Sequence, residues 1–213
     1  MSTPPTSKLA VRLVVVGIAV AVGIVAALFV RDWMRRPAGP PLPVISGISG
    51  FTLTNHLGRT VVLDDLRGRV TVASVIFTRC PGPCLAMSRK FAEIQEQLPA
   101  DGSVRLWSFT IDPEFDTPEV LTAYGRKLET DPERWWFVTG PKPEIARLAV
   151  KDFKFVVQDK DEADREVPED LFIHSTYFMV LDTRGRVRAV IEGAEADAVE
   201  RTLEMIERVK HER

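Results

Sequence analysis

The chain has two cysteines, and they lie together in Phe77-Thr78-Arg79-Cys80-Pro81-Gly82-Pro83-Cys84. A disulfide closing so short a loop would stabilise the fold by only about 2 kcal/mol, against roughly 4–5 for a loop spanning a domain. The pair is therefore read for its chemistry. Pro83 suits the first position of a helix, which makes Gly82 its N-cap and puts Cys84 in the first turn. Unpaired N–H groups and the helix dipole there favour thiolate over thiol. Cys80 lies just upstream and can fold back toward Cys84. Pro81 and Pro83 restrict the loop, so less entropy is lost when both sulfurs converge on one partner.

Two thiolates with an imidazole suit copper or zinc, whereas carboxylates would suit magnesium or calcium. The chain offers three histidines. His211 is in the terminal tail and His56 in a polar hairpin loop, and both read most simply as solvated surface residues. His174 stands in Leu171-Phe172-Ile173-His174-Ser175-Thr176-Tyr177-Phe178, immediately before an expected strand. A satisfied histidine at a strand entrance is the plainer reading. Its place near the cysteine loop, together with the wider cysteine spacing, favours a third ligand instead. Residues 173–177 hold no proline.

The elements that must position these residues follow a legible order. Residues 51–54 and 60–63 read as a hairpin, and the β-branched run 70–77 as a central strand buried on both faces. A helix is expected over about 83–98, with Leu85, Phe91, Ile94 and Leu98 as its apolar positions. A second buried strand spans 104–111. Thr117-Pro118-Glu119 is a helix start, with threonine as N-cap, proline at the first position and an acid in the first turn. A short strand over 135–138 and a helix near Pro143 follow. A hairpin over 177–181 and 186–191 and an amphipathic helix over about 196–209 complete the order. This is an α/β, thioredoxin-like fold with an added N-terminal β-hairpin. Its cysteines fall at the C-terminal end of the first core strand, where open α/β sheets bind ligands.

With 213 residues the chain has room for one ordinary domain and an appendage. A net charge of -2 without long charge runs gives no sign of nucleic-acid binding. The expected organisation is a short tail over 1–12, a transmembrane helix over 13–30, a Pro/Gly-rich linker over 31–50 and the domain over 51–213. Residues 13–30 hold no charged or polar side chain. As a helix they span about 27 Å, close to the roughly 30 Å hydrocarbon core. A cleaved signal peptide is the alternative, because Ala19-Val20-Ala21 resembles a processing site, but it lies mid-run and cleavable cores are shorter, about 7–15 residues. Basic residues flank both ends, so charge does not set the orientation. A single anchor ahead of the whole domain places that domain on the extracytoplasmic side, at the periplasm.

Taken together, these residues resemble the SCO/SenC family of membrane-anchored copper proteins. The segment from Phe77 to Cys84 looks like the family's F-T-x-C-P-x-x-C element. Thr110-Ile111-Asp112-Pro113-Glu114-Phe115-Asp116-Thr117-Pro118 resembles its D-P-x-x-D-T-P segment, and Ile173-His174-Ser175 its H-S/T element. The resemblance implies one copper, as Cu(I) or Cu(II), held by Cys80, Cys84 and His174. It implies service to the binuclear copper centre of cytochrome c oxidase, so that the oxidase's copper-bearing subunit or another exported copper protein is the expected partner. One departure is Leu85, where the family usually has a proline. Asp112 and Asp116 read as turn and capping residues, and Arg79 as a solvated loop arginine or a thiolate partner.

Three functions compete. The leading one is a copper metallochaperone. A thiol-disulfide oxidoreductase, with Cys80 and Cys84 cycling through a mixed disulfide, is the second. A thiol peroxidase, with Cys80 peroxidatic and Cys84 resolving, is the third.

Overall fold

The computed structural model describes residues 8–35, 40–165, 167, 171–174 and 176–212, with the side chains of 8–10, 31–35, 173 and 174 outside that description. The chain divides into two compact units, Met1–Pro40 and Pro41–Arg213. In the first, helix α1 (Lys8–Arg35) contains Val11–Val30, a stretch with mean hydropathy 3.1 that is long and apolar enough to cross a membrane. The helix runs five residues into the expected linker and stops two short of Pro37, the residue that cannot continue it.

The second unit begins ahead of the expected boundary at residue 51. Strand β1 (Ser46–Gly47) already belongs to its sheet, and the backbone of Leu42 and Pro43 is held by the buried Arg188 side chain. Linker-like composition did not reveal this, because the partners lie far along the chain.

The hairpin follows as β2 (Thr52–Asn55) and β3 (Thr60–Val62), then β4 (Val70–Ile76), α2 (Pro83–Gln97), β5 (Val104–Thr110), α3 (Pro118–Lys127), β6 (Trp135–Thr139) and α4 (Lys142–Arg147). After α4 come the short strands β7 (Val157–Asp159) and β8 (Phe172–His174), the hairpin β9 (Tyr177–Leu181) and β10 (Arg186–Glu192), and α5 (Ala198–His211). The main sheet has the order β1-β10-β9-β4-β5-β6-β2-β3, while β7 and β8 pair separately. Strands β4, β5 and β6 are parallel, and β9 runs antiparallel beside β4. The arrangement is thioredoxin-like, with the expected hairpin docked at one edge.

Every residue of β4, β5 and β6 is buried, which is why these strands are mostly apolar along their whole length and do not alternate. Some of their polar members are paired: Ser74 and Ser108 meet at 3.1 Å, Trp135 donates to Ser108 at 2.9 Å, and Arg105 stacks over the Trp136 ring. On α2 the buried stripe is Cys84, Met87, Ser88, Phe91, Ile94 and Gln95. Leu85, expected on the apolar face, is off that stripe and 41% exposed. A helix turns 100° per residue, so burying Cys84 turns its neighbour outward.

His56 also departs from expectation. It is 5% exposed, its ring accepts the Phe137 amide at 3.2 Å, and burial lowers its pKa. Pairing of β2 with β6 carries the hairpin loop onto the sheet, which the polar loop sequence alone does not show.

Candidate metal centre

Parallel pairing of β4 with β5 in register, Ile76 opposite Thr110, makes the loops that follow these strands neighbours at the C-terminal edge. One loop is Phe77 to Gly82 and the other runs from Ile111 to Thr117. Helix α2 starts at Pro83 with Gly82 as N-cap, and its first turn has no acidic residue. The Cys84 amide, one of the N–H groups without an intrahelical partner, donates to the Cys80 sulfur at 3.4 Å. The Cys80 amide in turn closes a turn onto the Phe77 carbonyl at 3.1 Å. The two sulfur-bearing residues are therefore brought together as the spacing suggested, and both are thiols.

They are not equivalent. Cys84 is 1% exposed and Cys80 half-buried. Hydrogen bonding with Cys80, followed by burial, pushes the Cys84 thiol well above its ordinary range, and the charge of Asp116 adds to this. Against the thiolate preference expected of a helix start, Cys84 in the metal-free protein thus keeps its proton at neutral pH, because the Cys80 sulfur and burial outweigh the helix dipole. A soft metal binding there must displace that proton.

The second loop supplies the polar frame. Asp116 is fully buried and accepts from both the amide and the hydroxyl of Thr78, the former at 3.1 Å. It also accepts from the Thr110 hydroxyl, which itself receives the Asp112 amide at 3.0 Å. Burial raises the Asp116 pKa against the pull of the hydrogen bonds from Thr110 and Thr78. The carboxylate of Asp112 holds Arg79 through Nε at 3.0 Å and Nη2 at 2.6 Å, and the guanidinium lies 4.2 Å from the centre of the Phe115 ring.

Local roles as turn and cap residues thus describe the backbone of this loop and miss its side chains. The Asp112 carbonyl does accept the Phe115 and Asp116 amides, and Thr117 does cap α3 through the Val120 amide. Both carboxylates, however, reach across to the cysteine loop. Their signal in the sequence was a second capping-type residue beside one that already suffices. Arg79 is likewise committed to Asp112.

The backbone of His174 ends β8, opposite Val157, so a short strand of its own precedes the expected one. Its imidazole lies outside the described residues. The same strand carries Phe172, whose ring packs edge-on against Phe77 with centroids 5.1 Å apart. That contact fixes the His174 strand beside the cysteine loop. Among the described residues no three His, Cys, Asp or Glu side chains form a metal-holding group. The two thiols present are the donor type that suits a soft metal.

The sequence profile of the SCO1/SenC family matches residues 45–211. The chain belongs to the SCO1/SenC family. The three motifs that carried the resemblance all fall inside the matched span. Over 155 residues the chain is 34% identical to the SCO1 protein homolog of Bacillus subtilis, covering 72% of this chain and 77% of that protein. Among solved structures it is similar to BsSco, a member of the Sco family of cytochrome c oxidase assembly proteins in which a disulfide switch was identified. Their identity is 28% and the TM-score 0.69, covering 82% of this chain and 100% of that one. ScoI of Bradyrhizobium japonicum, solved with copper bound, shares the fold at 21% identity and a TM-score of 0.65, covering 77% and 99% of the two chains.

Proposed function

We propose that this SCO1/SenC protein is a membrane-tethered copper metallochaperone acting in cytochrome c oxidase assembly. It holds one copper, as Cu(II) through Cys80, Cys84 and His174 or as Cu(I) through the two thiolates with or without His174, and passes it by ligand exchange to the copper-bearing subunit of the oxidase or another exported copper protein. The observation that carries this reading is the sulfur pair at the head of α2, with the His174 strand packed beside it through Phe77 and Phe172. Relatives that assemble the oxidase or bind copper support it. The apolar helix α1 supports a single-pass anchor, with the domain facing the periplasm. A reporter fused after Arg213 is expected to be active there, and activity confined to the cytoplasm refutes that orientation.

The binding test is direct. Reduced full-length protein in detergent should take up one copper per chain, and His174→Ala should weaken Cu(II) binding. No uptake by the reduced protein, or unchanged Cu(II) affinity in His174→Ala, refutes the assignment.

A second reading, thiol-disulfide exchange with an exported partner, is favoured by the asymmetry of the pair. Cys80 is the more accessible sulfur and Cys84 the buried one, as in an attacking and a resolving thiol. It predicts that a Cys84→Ala variant traps a mixed disulfide on Cys80, and that His174→Ala leaves exchange unaffected.

A further inference from the structure

Cys80 stands four residues past the end of β4, in a loop whose one backbone turn joins its amide to the Phe77 carbonyl. The loop contains two prolines and a glycine, which restrict local angles but do not say where the sulfur points. The neighbouring loop ties that turn to the sheet at two points, Asp112 on Arg79 and Asp116 on Thr78. Asp116 follows β5, is fully buried, and gives one carboxylate oxygen to the Thr78 hydroxyl and the other to the Thr78 amide. Thr78 is thereby gripped at both its backbone and its side chain, two residues ahead of Cys80. Thr110, at the end of β5, grips the same carboxylate and ties it to the register of the central strands.

A buried carboxylate needs such partners, because burying a charge without them costs several kcal/mol. Thr78, Thr110 and Asp116 therefore form a closed set: each satisfies another, and none is left over to serve as a metal ligand. The helix side of the site is fixed independently by Pro83 and the buried Cys84. The hydrogen bonds of this carboxylate to the cysteine loop fall on the Cys80 side, while its charge also acts on Cys84.

We infer that Asp116 is the positioning residue of the metal-binding loop, setting through Thr78 the backbone from which Cys80 meets Cys84. The inference rests on the copper reading for its function, but its geometry concerns the two sulfurs alone. A positioned pair behaves as though each sulfur saw the other at high concentration, and loosening one arm lowers that effective concentration. Oxidised glutathione measures it. The reagent accepts the two electrons, the Cys80–Cys84 bond forms, and two glutathione thiols leave with the two protons.

The experiment uses the full-length protein in detergent and compares wild type with Thr78→Val, Thr78→Ser, Asp116→Asn and Asp116→Ala. Each is checked for folding by thermal melting. Thr78→Val removes one charge-assisted hydrogen bond and should lower the effective concentration of the pair about tenfold. Asp116→Ala should lower it further. Thr78→Ser restores the hydroxyl and should stay within about threefold of wild type. Asp116→Asn keeps an acceptor for the Thr78 amide and an amide that can donate to the hydroxyl, so it should fall clearly less than Asp116→Ala. In the same series the sulfur-to-Cu(II) charge-transfer absorption should shift in Thr78→Val and return in Thr78→Ser.

Folded Thr78→Val with a wild-type effective concentration overturns the inference, even if Asp116→Ala fails to fold. Asp116→Asn falling as far as Asp116→Ala overturns it too, by showing that charge and not geometry is what matters. If wild type takes up no copper, the copper reading fails, and the glutathione measurement still decides the role of Asp116.

Discussion

Replacing Phe172 with alanine tests how the strand of His174, the proposed third ligand, is held. Phe172 is half-buried, and its ring meets Phe77 edge-on at 5.1 Å. Full burial of a phenylalanine side chain contributes about 1.5–3 kcal/mol, so the half-buried ring contributes about 1. An edge-to-face aromatic pair adds about 0.5–1.5 kcal/mol. Together about 2 kcal/mol hold β8 against the cysteine loop, which corresponds to roughly thirtyfold in an equilibrium constant. If that docking presents His174, Phe172→Ala should weaken Cu(II) binding by about 10- to 30-fold, measured by competition with a chelator of known affinity. Cu(I) bound by the two sulfurs alone should be much less affected. The cycle with His174→Ala decides the route: once the imidazole is gone, removing Phe172 should cost nothing more. Equal losses in both backgrounds would refute the argument, as would an unchanged affinity in Phe172→Ala beside a weakened His174→Ala.

Arg188 is 6% exposed and donates to the Leu42 and Pro43 carbonyls, Asp182 and Glu212. Arg188→Met should cost about 3 kcal/mol, the low end for breaking a buried pair, since Asp182 keeps Arg186 and Glu212 keeps the Leu42 amide. The melting temperature should then fall by about 6–12 °C, with new proteolysis near residues 41–45. His56 is held neutral by burial, below its ordinary 6.5, so the unfolded chain binds its proton first. Stability should therefore be intact above that value and decline as pH falls below it, and a His56→Asn variant should show a flatter melting profile between pH 7 and 5. Phe91→Ala, which removes a fully buried ring packed on Trp135 and Phe178, should cost about 3–5 kcal/mol in denaturant unfolding. Leu85→Pro should shift stability by less than about 1 kcal/mol, because Leu85 is exposed and its amide is among the first four of α2, which lack intrahelical partners.

Several elements were legible because their cause is local. Seven consecutive buried residues make β4 a nearly continuous β-branched run, and the residues Gly82-Pro83 and Thr117-Pro118 start α2 and α3 where their N-caps stand. The cysteine pair was legible for the same reason, since spacing and a helix start are properties of eight consecutive residues. The features that were misread depend on distant neighbours. His56 looks solvated until β2 pairs with β6, and residues 41–50 look like linker until Arg188 and β10 hold them. Leu85 looks like core until Cys84 takes the buried face of α2.

The sequence by itself supplied the chemical groups: two thiols with three residues between them at a helix start, and a histidine in a matching motif almost a hundred residues later. It also determined the thioredoxin-like order of strands and helices, because hydrophobic period and caps act over a few residues. Only the tertiary structure decided what each sulfur experiences. Packing buries Cys84 and leaves Cys80 half-exposed, and parallel pairing of β4 with β5 brings Asp116 onto Thr78. The Phe77–Phe172 contact then brings the His174 strand alongside. Burial and long-range hydrogen bonds set the charge and placement of a group, and both arise only when residues far apart in the chain meet.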